Sequence, residues 1–258
     1  MVQPMPKTIG KISIIPLLKL PLIQKGDDLV ALIISCISDS GEKLRDNDIL
    51  VLSQKIVSKS EGNTVDLNEV TPSKEALELA QEVGKDPRIV HLILKESKRI
   101  VRKSYGVLIV EHKKGWICAD AGLDFSNVPG DCVALLPKDP DRTAETIRNR
   151  IREYLKVEIA VLISDSQGRP FRNGSVGVAL GCAGMPGLVS KIGDEDLYHY
   201  KLQHTQVALA DQVASSALMV MGEANEGVPA VIVRGLALPQ KSGTAKDLIR
   251  PEEEDLFH

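Results

Sequence analysis

Four oxygen-bearing side chains, Asp124, Asp165, Ser166 and Glu223, each stand near the end of an apolar run. Carboxylates joined by a hydroxyl make a hard donor set, suited to Mg²⁺ or Mn²⁺ rather than to softer metals. Four cationic groups accompany them: Lys55 and Lys59 follow one apolar run, and Arg169 and Arg172 flank a Pro-Phe pair. Their ammonium groups and guanidinium forks neutralise phosphate or carboxylate oxygens. Acids that hold a divalent cation beside bases that hold phosphate suit metal-assisted phosphoryl transfer, where catalysis is positioning and charge stabilisation. Taken singly, each group also has a plainer role. Lys55 and Lys59 would serve as an exposed basic segment, and residues 165–174 as a surface turn with two solvated arginines.

The stretch 160–174 is the centre of this reading. Its start is apolar and largely β-branched, as in a buried strand, and the run is expected to stop at Asp165. An acid at the carboxyl end of a strand lies where α/β sheets bind ligands. Gly168 and Pro170 then turn the chain, and Gly174 turns it again.

The flanking elements follow from pattern. Residues 12–15 predict a short strand, and 17–23 are apolar but kept from regular helix by Pro21. Asp27 or Asp28 caps a helix to about Ile37, with Leu29, Leu32, Ile33 and Cys36 on one face. Residues 48–53 read as a strand running into 54–62. Helices are predicted at 71–83, with Pro72 at its first position and Gly84 closing it, and at 87–96. Residues 98–102 and 107–111 read as paired strands, and 116–119 as a further one. The loop 120–131 reads equally as plain turn chemistry or as presenting Asp124 and Asn127 to a cation or a ligand. After a short strand at 133–136, Asp139 or Asp141 caps a helix to about Leu155. Its Arg142, Arg148, Arg150 and Arg152 read as a mostly solvated face with local pairing to Glu145. Residues 176–183 are small and apolar, and Gly177, Gly181 and Gly184 permit close backbone approach. A long helix is predicted at 205–221, with Val207, Ala210, Ala214, Leu218 and Met221 facing inward, then a buried strand at 228–233. Residues 251–258 form an acidic tail. This order lacks a strict βαβ rhythm, so α+β or an irregular α/β fold is expected rather than a Rossmann fold.

Bulk properties narrow the class. A chain of 258 residues, 43% hydrophobic and 26% charged, builds one or two globular domains. Its net charge of -3 leaves no electrostatic footprint for nucleic acid or an anionic membrane. There is neither an apolar run of transmembrane length nor a signal-peptide core at residues 1–10, so the cytoplasm is expected. Cys36, Cys118, Cys132 and Cys182 form no CxxC pair and read as reduced thiols. The chain has no GxxxxGK[ST] loop, strand-linked GxGxxG, GxSxG elbow or HExxH, and its five scattered histidines argue against zinc.

Four segments carry a resemblance in their order along the chain: SQKIVSKSEG at 53–62, AGLDFSNV at 121–128, SDSQGRPFRNG at 164–174, and Met221-Gly222-Glu223. Together they resemble the coenzyme F420:L-glutamate ligase family, from about Leu20 to the acids at 252–255. Phe171 stands where many members carry Trp, and Ser166 where Thr is common; both keep the role. The resemblance implies one family domain over 1–258, with room for two structural subdomains. It also implies an unusual α/β fold with a large antiparallel component, assembled as an intertwined homodimer. The implied activity is GTP-dependent addition of L-glutamate, through γ-linkages, to the lactyl-phosphate side of a deazaflavin precursor. It would run through an acyl phosphate, with Mn²⁺ or Mg²⁺ at two positions and a monovalent cation such as K⁺ assisting. Carried over by position, Asp124 and Asp165 would hold one metal, and Ser166 and Glu223 the second. Nucleotide contacts would come from Leu20, Pro21, Leu22, Ile23, Gln54, Lys55, Lys59 and Asn127. The loop Met221, Gly222, Glu223, Ala224, Asn225, Glu226, Gly227 and Val228 would add more. By their charge, rather than by the resemblance, Arg169 and Arg172 are expected to join the two aspartates in catalysis, gripping phosphate or the acceptor carboxylate. A ligase with another acceptor and a catalytically silent nucleotide-binding protein remain as alternatives at this stage.

Overall fold

The computed structural model describes residues 10–239 and 242–256; residues 1–9 and the last two residues of the acidic tail, Phe257 and His258, lie outside it. In chain order the elements begin with β1 (Ser13–Pro16), α1 (Leu29–Asp39), β2 (Ile49–Ser53), α2 (Gln54–Ser60), β3 (Thr64–Asp66), α3 (Lys74–Val83) and α4 (Pro87–Glu96). They continue with β4 (Ser97–Ser104), β5 (Val107–His112), β6 (Ile117–Ala119), β7 (Cys132–Ala134) and α5 (Pro140–Leu155). The last are β8 (Ala160–Arg169), β9 (Arg172–Ala183), β10 (Val189–Ser190), β11 (Gln206–Val207), α6 (Leu209–Met221) and β12 (Ala230–Arg234). Among the described residues no helix is long and apolar enough to cross a membrane.

Helices α1, α2, α5 and α6 cover the two faces of a five-stranded sheet, ordered β1-β12-β2-β8-β9. Its pairings are antiparallel except β2 with β8. The runs ILVLS, AVIVR and AVLIS alternate between two dry faces, as a doubly covered sheet requires. Leu50, Leu52, Val161, Ile163 and Ile232 face α1, α2 and α5. Ile49, Val51, Leu162, Val231 and Val233 face α6. A second core lies between α3, α4 and the antiparallel β4-β5-β6 sheet, built on Leu79, Val83, Val90, Ile93, Leu108 and Val110. Further antiparallel pairs join β3 to β7 and β10 to β11. The fold is therefore mixed α and β and mostly antiparallel in its sheets.

Four expectations need correction. Strand β8 does not stop at Asp165; it continues to Arg169 against β9, with Phe171 at φ 64° in the turn. What stops is β2, whose last pair joins Ser53 to Ser164. Asp165 is thus one residue beyond the carboxyl edge of the parallel pair, on a ribbon that keeps its own ladder. Helix α6 begins at Leu209 rather than 205, because Gln206 and Val207 pair with Ser190 and Val189. Helix α3 begins at Lys74, with Ser73 Oγ accepting from Ala76 N–H, so Pro72 precedes the cap. Of the α5 arginines, Arg142 and Arg152 are exposed as expected, but Arg150 and Arg148 are tied beyond their helix. Arg150 grips both carboxylate oxygens of Asp28, the cap of α1, at 2.8 and 2.7 Å. Arg148 donates to the Ile159 carbonyl and to Glu158, and Glu145 is a longer contact at 3.6 Å.

The small residues of β9 meet their expected purpose. A Cβ on Gly177 would lie 2.5 Å from the Ala214 carbonyl of α6, and one on Gly181 only 2.2 Å from the Pro140 carbonyl carbon of α5. Backbone seats on backbone at both places, and this brings the β8–β9 ribbon close to α6.

Candidate functional site

Beyond the carboxyl edge of β2 lies a cleft of about 1570 Å³. Leu20, Pro21, Leu22 and Ile23 form one wall, with Lys55 and Lys59 of α2 beside them. Asp124, Ser126 and Asn127 come from the loop after β6, residues 165–170 from β8 and its turn, and residues 221–228 from the end of α6. Segments distant in sequence meet here because β2 and α6 end at one edge of the main sheet and the β8–β9 ribbon runs on past it.

Helix α2 starts immediately after β2, with Ser53 as its cap, and puts Lys55 and Lys59 one turn apart on the cleft side. Lys55 Nζ is 2.9 Å from Asp124 Oδ2 and also donates to Ser126 Oγ at 2.5 Å. Asp124 Oδ1 accepts from the Ser126 amide at 2.8 Å and the Ser126 hydroxyl at 2.9 Å. Lys59 Nζ donates to the Asn127 carbonyl, and Asn127 Nδ2 donates to the Ala224 carbonyl at 3.0 Å. The 124–127 loop is thereby tied to α2 on one side and to the loop after α6 on the other. Burial lowers the Lys59 ammonium below its ordinary range, and the charge of Lys55 adds to this.

Glu223 is held by two hydroxyls from the ribbon, Ser166 Oγ to Oε2 and Ser175 Oγ to Oε1, both at 2.9 Å. Burial pushes the Asp165 carboxyl up to about 6; the Ser166 amide and Gln167 oppose the rise, and the charge of Asp124 adds to it. A carboxylate disfavoured by burial and by a neighbouring acid is one that gains from a cation. Among the described residues no three of His, Cys, Asp or Glu converge as a ready-made metal cage. Hard oxygen donors in two acid-hydroxyl groupings nevertheless fit Mg²⁺ or Mn²⁺, cations that keep waters and take few protein ligands.

The profile of the F420-0:Gamma-glutamyl ligase family matches residues 17–235. The chain belongs to this family. The match runs past both ends of the cleft lining, from Leu20 to Pro229. The chain is 47% identical to the coenzyme F420:L-glutamate ligase of Methanothermobacter thermautotrophicus over 248 residues, 95% of this chain and 98% of the relative. It is 47% identical to that of Methanocaldococcus jannaschii over 214 residues, 83% of this chain and 86% of the relative. It is 39% identical to that of Archaeoglobus fulgidus over 247 residues, 96% of each chain.

Most of the site residues expected from the sequence line the cleft, but two do not. Gln54 is buried within α2, where its Oε1 accepts from Ser58 Oγ at 3.1 Å. Arg172 is exposed at the start of β9 and is absent from the lining, whereas Arg169 lines the cleft and donates to the Gly174 carbonyl at 3.2 Å. Sequence reasoning also missed Ser126 and Ser175. The Asp-x-Ser spacing at 124–126 is the signature of a side chain bonding the backbone two residues on, so Ser126 was within reach. Ser175 was not, because its place beside Glu223 depends on the hairpin register that sets it opposite Gly168.

Proposed function

We propose that this chain adds L-glutamate by γ-linkage to the deazaflavin precursor of coenzyme F420, using GTP to activate the acceptor carboxylate. The observation that carries the proposal is the convergence of Asp124, Asp165, Ser166, Glu223, Lys55 and Lys59 on one cleft. The names of the relatives supply the acceptor and the amino acid.

A free carboxylate does not acylate an amine, so the reaction needs two steps. In the first, an acceptor carboxylate oxygen bonds to the γ-phosphorus of GTP and the bond to the β–γ bridging oxygen breaks, leaving GDP. In the second, the L-glutamate amine bonds to the acyl carbon, phosphate departs with the former carboxylate oxygen, and the ammonium proton passes to solvent. Asp124 and Asp165 would hold one Mn²⁺ or Mg²⁺, and Ser166 and Glu223 a second. Metal bound there supplies positive charge to the phosphoryl oxygens. Lys55 and Lys59 bind the polyphosphate, while residues 20–23 and 221–228 hold the rest of the nucleotide. Arg169 orients the acceptor's phosphate or carboxylate. The loop tied down by Lys59 and Asn127 keeps water from the acyl phosphate.

K⁺ assistance, a homodimer and a cytoplasmic setting belong to the same proposal. Leu197 and Tyr198 support the homodimer: on the arm between β10 and β11 they are 96% and 90% exposed.

The test is mass spectrometry of the acceptor after incubation with L-glutamate, GTP and Mn²⁺. A product heavier by glutamyl units, absent without GTP or metal, is expected. Metal-dependent GTP binding with no product would remove the acceptor from the proposal.

A further inference from the structure

The polar groups described above occupy only part of the cleft. At about 1570 Å³ it exceeds the roughly 300–1,000 Å³ usual for a single small-molecule site. Its remaining wall comes from the β5–β6 hairpin and the chain that follows, with Ile109, Ile117, Ala119 and Leu123 in the lining. The register sets out this wall: its apolar part lines the cleft, while Glu111, on the same face and held by Lys98 and Arg99, lies outside the lining. Ala119 pairs with Ile109, Ile117 pairs with Glu111, and side chains two apart on a strand share a face. Ile109, Ile117 and Ala119 therefore stand side by side toward the cleft. Val110 and Cys118, paired between them, are buried, and Cys118 still borders the cleft. Ile117 is 39% exposed, on a sheet whose opposite face is fully packed, so its own packing does not account for it.

We propose that this face, Ile109, Ile117 and Ala119 continued by Leu123, is the subsite for the flat aromatic ring of the acceptor. The inference rests on the ligase reading above and extends it to residues that carry no polar chemistry. Strand β6 packs beside β8, the strand that bears Asp165. A ring lying on β6 therefore places its anionic side chain toward the acids and Arg169. The nucleotide wall is elsewhere: Ile23 shares its core with Ile56 and Val57 of α2, on the side of the two lysines. Aromatic planes stack well on an exposed sheet face of aliphatic side chains, whereas phosphates gain nothing there.

The test uses Ile117→Asp and Ile117→Tyr, both at a partly exposed position where the fold tolerates change. Steady-state ligation gives KM for GTP and for the acceptor. A separate fluorescence titration uses a deazaflavin ring bearing a plain hydroxyalkyl chain, with neither phosphate nor carboxylate. Ile117→Asp is expected to raise the acceptor KM about tenfold, to leave the GTP KM within about twofold, and to weaken ring binding about tenfold. Ile117→Tyr, which keeps an apolar surface, is expected to bind the ring several-fold more tightly than Ile117→Asp and to recover much of its lost acceptor KM. A wild-type chain that binds no ring, or an Ile117→Asp variant whose GTP KM rises instead, overturns the subsite. Ring binding that depends on Ile117, in a chain that ligates nothing, leaves the subsite standing and removes the ligase reading.

Discussion

Lys55 Nζ stands 2.9 Å from Asp124 Oδ2, so the ammonium of a proposed phosphate ligand is the counter-ion of a proposed metal ligand. Both side chains are mostly buried, at 15% and 26% exposure, which limits screening by solvent. On the proposed reading, a cation arriving at Asp124 would displace Lys55, and the released ammonium would then be free to meet phosphate. Metal and nucleotide would thereby be coupled through one side chain.

The first prediction follows from that exchange. Lys55→Met removes the competitor at Asp124 and the partner of the phosphates together. Mn²⁺ alone should bind up to about fivefold more tightly than to wild type, the scale of a single ion pair, while GTP binds more weakly. Calorimetric titration of each ligand separately reads both. Two affinities that weaken together would mean that Lys55 shapes the site without competing for it.

Asp165→Asn tests the opposite side of the site. Burial disfavours the Asp165 carboxylate, so a neutral amide of the same shape removes a charge that the fold holds at a cost at neutral pH. The variant should melt at or above the wild-type temperature without metal, yet show negligible ligation and weakened Mn²⁺ binding. Normal turnover at ordinary metal concentration would remove Asp165 from the site.

How far the sequence foretold this arrangement depends on what each residue needed. Pro87–Glu96 and the Asp28 cap of α1 were legible because capping and periodicity are local. The ends of α6 and β8 were not, because partner strands decide them: β11 takes Gln206 and Val207 from the helix, and β9 carries β8 past Asp165. Among the site residues, Asp124, Asp165 and Glu223 could be singled out by type. Their grouping with Ser126 and Ser175, and the exclusion of Gln54 from the cleft, required the tertiary contacts.

Arg169 and Arg172 looked equivalent in sequence and are not so in space. Arg169→Ala should reduce kcat/KM for the acceptor at least about tenfold, the cost of a charge-assisted contact. Arg172→Ala, outside the cleft lining, should lose no more than about threefold, as expected of an exposed ion pair. Equal losses would place both guanidinium groups on the acceptor.

Gly181 and Gly168 form a matched pair for stability. A methyl at 181 would collide with the Pro140 backbone where α5 begins, so Gly181→Ala should destabilise the chain by about 1–3 kcal/mol or more. A methyl at 168 meets nothing within 4 Å, and Gly168→Ala should change stability by about 0.5 kcal/mol or less. Urea unfolding midpoints compare the two directly.

His112 gives the fold a pH dependence separate from the site. It is 4% exposed, its Nδ1 accepts the Lys114 amide at 3.0 Å, and its ring lies 5.2 Å from that of Trp116. Burial, with Lys114, Lys113 and Lys98 nearby, lowers its pKa to about 4 from an ordinary 6.5; Glu96, 3.8 Å from Nε2, does not restore it. Between those two values the unfolded chain binds a proton that the folded chain refuses. Stability therefore falls as pH drops from about 6.5 to about 4, by at most about 3 kcal/mol from this group, and is level with respect to it outside that window. His112→Gln keeps an acceptor for the Lys114 amide and cannot take the proton. The stability difference between wild type and this variant should shift toward the variant from pH 7.5 to pH 4.5. The emission of Trp116, the single tryptophan, provides the signal. A difference that stays constant across that range would mean the imidazole is protonated within the fold.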